Sequence, residues 1–325
     1  MSGPSRRLSF ALQRGAGSGG AGRRLALDAA RGAAVLAMFG FHLIWDLGHF
    51  GYIDPAFPFS PGVRQFGHAI ALGFLFIAGI ALVLAMERSA PWPAFFRRLA
   101  LVFGAAALVS AGTYAAFPEA YIFFGILHCI AAASLLAAPL LRLPAVVAAG
   151  AALAVFLISA LVASPVFDAP PLLWVGLGTF QPLTNDYRPL FPWAGALFAG
   201  VAAAKFARLR AGAFPPFSPA ASAVLRPPAW LGRHSLFLYL VHQPLFFAVF
   251  TAVAALAPAP AADADSAFMS ACVGQCVASG GASDICESAC RCTAQAAAKD
   301  PVLRDDSERV ARIREAAARC VAAPK

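Results

Sequence analysis

Charge is what this sequence has least of. Over 325 residues only 13% are Asp, Glu, Lys or Arg, about half the share that a soluble domain carries. That scarcity excludes an ordinary water-soluble enzyme, and with 60% hydrophobic residues it also excludes a disordered chain or a coiled coil. The net charge of +9 does not make a nucleic-acid module, because the excess is spread among long apolar runs. The first 25 residues lack an apolar core followed by a cleavage site, so they do not read as a removable signal peptide. No internal repeat of fixed period is present. What is abundant is Ala, Leu, Val and Ile in long runs, with 28 Phe and 25 Pro. That composition belongs to an all-α, polytopic transmembrane helical bundle.

Hydropathy places about seven spans, at 26–48, 66–86, 99–117, 121–141, 144–163, 190–207 and 235–256, each near the length that crosses a ~30 Å core. Residues 1–262 hold 17 Lys+Arg and 7 Asp+Glu, whereas 263–325 hold 8 and 9. The basic excess therefore lies wholly in the hydrophobic part and reports topology. Arg6, Arg7, Arg14, Arg23, Arg24 and Arg31 open the first span, and Arg88, Arg97 and Arg98 join the second and third. Arg142 follows the fourth, and Lys205, Arg208, Arg210, Arg226 and Arg233 separate the sixth and seventh. All of these fall on one side, and only Arg64 and Arg188 on the other. A split of fifteen against two places the N terminus in the cytoplasm and the C-terminal tail outside. Residues 1–25 read as a flexible cytoplasmic leader, 26–256 as the transmembrane domain, and 257–325 as an extracytoplasmic tail. Segment 164–189, rich in Pro and polar groups, reads as an external loop, part of which can dip back into the bilayer.

The tail concentrates cysteine: Cys272, Cys276, Cys286, Cys290, Cys292 and Cys320. The pairs 272/276 and 286/290 are each i,i+4, so on two short antiparallel helices each pair shares one face and two rungs can bridge the hairpin. An all-thiolate zinc site is the competing reading, because no histidine lies in the tail. An oxidising compartment favours disulfides, with connectivity left open. Cys129, inside the fourth span, reads as a small buried apolar residue.

Ionisable groups inside a span cost roughly 2.5–3.5 kcal/mol each on insertion scales, so each is a functional candidate. In the first span, His42 and Asp46 are i,i+4 and share a helix face. His42 lies about 16 residues, or about 24 Å, from the cytoplasmic start. A carboxylate beside an imidazole sets its tautomer and raises its basicity, as a general base requires. The bland alternative is a satisfied polar pair that pins two helices. His128 in the fourth span and His242 in the seventh add two more imidazoles, and Ser235, Tyr239 and His242 recur on one face. Arg31, three residues after Asp28, either pairs with it or joins Arg97, Arg98 and Arg233 in a basic mouth for a phosphorylated ligand. Trp45, Trp92, Trp174 and Trp193 sit near span boundaries, as interface anchors do.

Five blocks carry a resemblance: LDAARGAAVLAMFGFHLIWDLGHFG, FLFIAGIAL, FGILHCIAA, NDYRPLFPW and LGRHSLFLYLVHQPLF. In this order and spacing, across residues 24–250, the chain resembles the heparan-α-glucosaminide N-acetyltransferase-like family, and most closely its short bacterial inner-membrane branch. The resemblance implies an acyltransferase that takes acetyl from cytoplasmic acetyl-CoA and delivers it to an amine or hydroxyl outside. The paired HxxxD of His42 and Asp46 is typical of the bacterial branch. The active histidine of the longer lysosomal member lies in a first-lumenal-loop context that this chain does not reproduce, so its role does not transfer to His42, His49 or His68.

On this reading His42 is the general base or transient acyl carrier, oriented by Asp46, with His128 and His242 lining the path and Arg31 at the donor phosphates. The co-substrate is acetyl-CoA or another acyl-CoA, with no metal. The acceptor is an envelope glycan or glycolipid, and the partners are the lipid bilayer and a second copy of the chain. Two rivals stand beside it. One is a transporter or flippase with a histidine proton path, which paired repeats would favour. The other is a non-enzymatic envelope scaffold acting through its disulfide tail.

Overall fold

In a computed structural model the chain is described at residues 5–86, 91–210, 219–257, 264–278, 281–299, 315–317 and 319–320, with side chains from residue 25 onward. Helices and 3-10 turns are the only regular elements among the described residues. In chain order they are α1 (Ser5–His49), α2 (Pro61–Ala85), α3 (Pro91–Ala116), α4 (Ile126–Ala137), α5 (Ala145–Leu161), α6 (Leu190–Arg210), α7 (Pro219–Arg233), α8 (Ser235–Leu256), α9 (Ala264–Ala278) and α10 (Ser283–Lys299). Five stretches are long and apolar enough to cross a membrane: Leu25–His49 of α1, α2, α3, Leu190–Arg208 of α6, and α8. The protein is a multi-pass membrane protein of the all-helical class.

Three features differ from the hydropathy reading. Helices α4 and α5 have only 12 and 17 residues, so α4 rises about 18 Å against a ~30 Å core. The reason lies in 121–125: YIFFG is as apolar extended as it would be in a helix, and here it is not helical. Its backbone is satisfied by the polar loop instead. Asn185 N–H donates to Ala120 O (2.9 Å), Arg188 N–H to Phe124 O (3.1 Å), and Thr184 Oγ1 to Tyr121 O (2.7 Å). Non-helical backbone among apolar helices is tolerated when protein groups supply the missing bonds. Second, hydropathy starts the first span at 26, and the helix α1 begins at Ser5, within the stretch read as a flexible cytoplasmic leader; residues 1–4 lie outside the described residues. Third, α7 fills a stretch that hydropathy leaves blank, because Arg226, Pro227, Pro228 and Arg233 dilute it. Of the basic residues assigned to one side, Arg6, Arg7, Arg14, Arg23, Arg24, Arg88 and Arg210 have side chains outside the described set.

The chain divides into two compact units, Met1–Met38 with Ile70–Val241, and Phe39–Ala69 with His242–Lys325. The divisions fall inside α1, α2 and α8. In the first unit the core is built from small and branched residues: Leu75 and Leu82 on α2, Cys129 and Ala133 on α4, Leu197 and Val201 on α6. Two crossings depend on missing Cβ atoms. A side chain at Gly79 would meet the Leu197 carbonyl, and one at Gly200 the Phe76 carbonyl, so α2 and α6 touch backbone to backbone. Gly32 and Gly232 do the same for α1 and α7, against the Pro228 and Asp28 carbonyls. Such small-residue contacts are how helices associate where hydrophobic burial gives little preference. Basic residues finish the helix ends. Lys205 Nζ donates to the Leu140 and Leu143 carbonyls, and Arg208 Nη2 to Val83 O at 3.1 Å, where cations oppose the negative end of the dipole.

In the second unit, the end of α1 packs on α8 through aromatic rings. His49 lies 5.3 Å from Phe247 and Phe50 lies 5.7 Å from Phe250, centroid to centroid. Tyr52 Oη donates to Ala257 O at 2.8 Å. Helix α9 rests on the 3-10 turn Phe57–Phe59, with Gly274 close enough that a Cβ would sit 3.4 Å from Ala56 and Phe59. Helices α9 and α10 form the expected hairpin, bridged by Cys272–Cys290 and Cys276–Cys286, and Cys292 pairs with Cys320. The thiolate zinc alternative is thereby set aside. Cys129 is buried and unbridged, its Sγ 3.8 Å from Pro189 O.

Candidate functional site

Residues 39–49 of α1 and 242–250 of α8 place the intramembrane polar groups of the second unit together. The His42 and His242 rings lie 4.8 Å apart, tilted by 61°. Phe39 stacks on His242 at 5.5 Å and also touches Phe246 at 5.8 Å, so the His242 ring has an aromatic floor. One turn beyond His42, Asp46 is 0% exposed. Gln243 Nε2 donates to its Oδ1 at 2.9 Å. The second carboxyl oxygen, Oδ2, and Gln243 Oε1 are buried with no hydrogen-bond partner among the described residues. The structure thus brings His42, Asp46 and His242 together and adds Gln243, which sequence reasoning missed. Its signal was present: an amide inside an apolar span, flanked by His242 and Pro244.

His128 belongs to a different cluster, in the first unit. Gly125 N–H donates to its Nδ1 at 3.3 Å, so Nδ1 is an acceptor and the proton sits on Nε2. Ser110 Oγ lies 3.2 Å from that Nε2, and its own hydrogen goes to Ile122 O at 2.6 Å. Both ring nitrogens are therefore occupied by a helix cap and by a tie to α3. Asp186 completes the start of α4: its Oδ2 accepts from Ile126 N–H at 2.9 Å, and its Oδ1 lies 3.5 Å from Arg188 Nη1. Arg188 in turn lies over the Trp193 ring at 4.9 Å. Negative charge at a helix N terminus is favourable, and this loop delivers it. Nearby, burial and the Asp168 carboxylate push the Tyr187 phenol up, and it donates to Leu173 O at 2.6 Å as a neutral group. Ser110 and Asp186 went unassigned in the sequence because their partners lie 12 to 60 residues away.

The four candidate arginines do not share one arrangement. Arg31 Nη1 lies 3.1 Å from Asp28 Oδ1 and 3.5 Å from Gly232 O, at the α1–α7 crossing and one residue from the exposed Arg233. Arg97 is exposed on α3, and its neighbour Arg98 lines a small pocket with Leu82, Phe95 and Ser134. Among the tryptophans, Trp45 stacks on His49 at 5.0 Å, Trp92 lies under Arg142 at 4.4 Å, and Trp174 donates to Pro171 O at 3.0 Å. No group of three metal-ligating side chains occurs among the described residues.

Within its spans this multi-pass helical protein buries His242 and Asp46 and half-buries His42 and Gln243 beside them, and ionisable groups at that depth are functional candidates. Its family follows from the whole span pattern. Residues 23–244 match the family model described as heparan-alpha-glucosaminide N-acetyltransferase, catalytic. The match covers most of the chain and includes His42, Asp46, His242, Gln243 and the whole His128 cluster, so the chain belongs to that acetyltransferase family. No curated protein and no solved structure matches it.

Proposed function

We propose that this chain is an integral-membrane acyltransferase that moves an acyl group, acetyl first among them, from cytoplasmic acyl-CoA to a sugar-like hydroxyl or amine on the other side. The observation that carries the proposal is the His42–His242 and Asp46–Gln243 pairing inside the family match, with Asp46 and His242 buried. Placing such polar side chains among apolar helices is costly, and they are retained where they work. In the proposed reaction the acceptor nitrogen or oxygen attacks the thioester carbonyl. The new bond to the acyl carbon forms and the C–S bond breaks. His42 takes the acceptor's proton and gives it to the departing sulfur, so that free coenzyme A leaves as its thiol; Asp46, one turn away, governs the proton on the imidazole, and His242 packs against the ring. Arg31, Arg97, Arg98 and Arg233 are assigned to the donor phosphates. His128, whose ring nitrogens are both engaged, is assigned to holding α4 in place.

This reading sets the N terminus in the cytoplasm and the tail outside, in a bacterial inner membrane. The charge asymmetry and the three disulfides support that orientation. The test is release of the coenzyme A thiol by purified protein given acetyl-CoA and a panel of amino sugars and polyols. His42→Ala is expected to lower the rate by about 10²-fold or more. Wild-type turnover in a folded His42→Ala protein would sink the assignment.

A further inference from the structure

Asp46 and Gln243 are joined by one hydrogen bond, from Nε2 to Oδ1, and each keeps one buried oxygen without a partner. Two groups so joined present an unusual pattern, because a carboxylate offers only acceptors and the amide has already used its facing donor. Turning the amide over would only exchange which of its atoms faces the carboxyl. The other ionisable side chains on this unit's parts of α1, α2 and α8 are His42 and His49, Arg64 and His68, and His242. The bonded neighbour of Asp46 is none of these but a neutral amide. A carboxylate at 0% exposure whose one hydrogen-bond partner is an amide is an uncompensated buried charge. A proton on Oδ2 removes the charge, and it also supplies the donor that Oε1 lacks.

We infer that Asp46 and Gln243 form a carboxyl–carboxamide pair that holds one proton between Oδ2 and Oε1 in the resting protein. The pair is a proton-binding site one helical turn from His42. Asp46 therefore acts by yielding and retaking a proton and not as a permanent negative charge. The use made of that proton rests on the acyl-transfer reading, whereas its location does not. Gln243 is accordingly a positioning residue: it touches Asp46 and fixes which oxygen carries the hydrogen.

The test is infrared spectroscopy of the full-length protein in phosphatidylcholine vesicles at neutral pH, with unlabelled and ¹³C-aspartate-labelled wild type. A protonated-acid carbonyl band that shifts with the aspartate label and with exchange into D₂O is expected. That band should vanish in Asp46→Asn with the carboxylate stretches unchanged, and should move toward the free-acid position in Gln243→Leu. Absence of any aspartate-sensitive protonated-acid band in the wild type would overturn the inference without any variant having to fold. Loss of a carboxylate band in Asp46→Asn would overturn it equally and would point to a bound water or cation at the two oxygens. Because the readout needs no turnover, it stands or falls separately from the acetyl-transfer assay.

Discussion

Three histidines inside apolar helices look alike in the sequence, and their surroundings differ. His128 has both ring nitrogens engaged, since Nδ1 receives the Gly125 N–H and Nε2 faces Ser110. His42 and His242 instead lie against each other, with Phe41 beside the first and Phe39 stacked on the second. His128→Ala should therefore cost about 1–3 kcal/mol of stability, the price of opening a buried polar group. A lower melting temperature in detergent, with acetyl-CoA binding unchanged per folded molecule, is the expected pair of results. Lost transfer at an unchanged melting temperature would show instead that His128 takes part in the chemistry. The His42–Asp46 spacing was readable because i,i+4 on one helix needs no tertiary knowledge. The Asp46–Gln243 bond was not, because it joins residues 197 apart and only the fold brings them together.

At the scale of elements, backbone contact decides where helices cross. Leucine at Gly79 or Gly200 would drive a side chain into a carbonyl of the partner helix. Overpacking of this kind costs about 1–3 kcal/mol, and here the obstacle is backbone that cannot rotate away. Thermal unfolding should show a clear loss for Gly200→Leu and essentially none for Gly104→Ala, whose added methyl meets nothing within 4 Å. An equal effect of both substitutions would contradict the α2–α6 packing. The long spans were legible because continuous apolar runs admit little else. The shortness of α4 was not, because YIFFG satisfies hydropathy equally well in either conformation, and the hydrogen bonds from 184–188 and from Ser110 and Thr113 of α3 decide between them. Helix α7 escaped notice for the opposite reason: two prolines and two arginines mask an amphipathic surface helix that leaves Val224 and Trp230 exposed.

At the scale of the whole molecule, the disulfide hairpin and the membrane helices answer to different chemistry. The i,i+4 cysteine pairs showed that two rungs could form, and the fold shows which cysteines form them. Under denaturing, non-reducing conditions a single thiol, that of Cys129, should react with an alkylating agent, and all seven should react after reduction. More than one reactive thiol in the unreduced protein would contradict the bridged tail. Removing the Cys276–Cys286 bridge by serine substitution should destabilise the hairpin by about 2–5 kcal/mol, read as faster proteolysis of the tail while the spans stay intact.

The central claim is that this fold binds an acyl donor at its basic end and works on it with the buried histidine pair. Calorimetry of acetyl-CoA against the detergent-purified protein tests it most directly, with free coenzyme A, Arg31→Ala and His42→Ala as comparisons. Saturable binding is expected in the wild type and in His42→Ala. Removing the Arg31 charge should weaken it about tenfold or more, as loss of a charged hydrogen bond worth roughly 1.5–3 kcal/mol implies. No detectable binding of acetyl-CoA to the folded wild-type protein would contradict the account, and the paired histidines would then have to be explained as a proton path or as core.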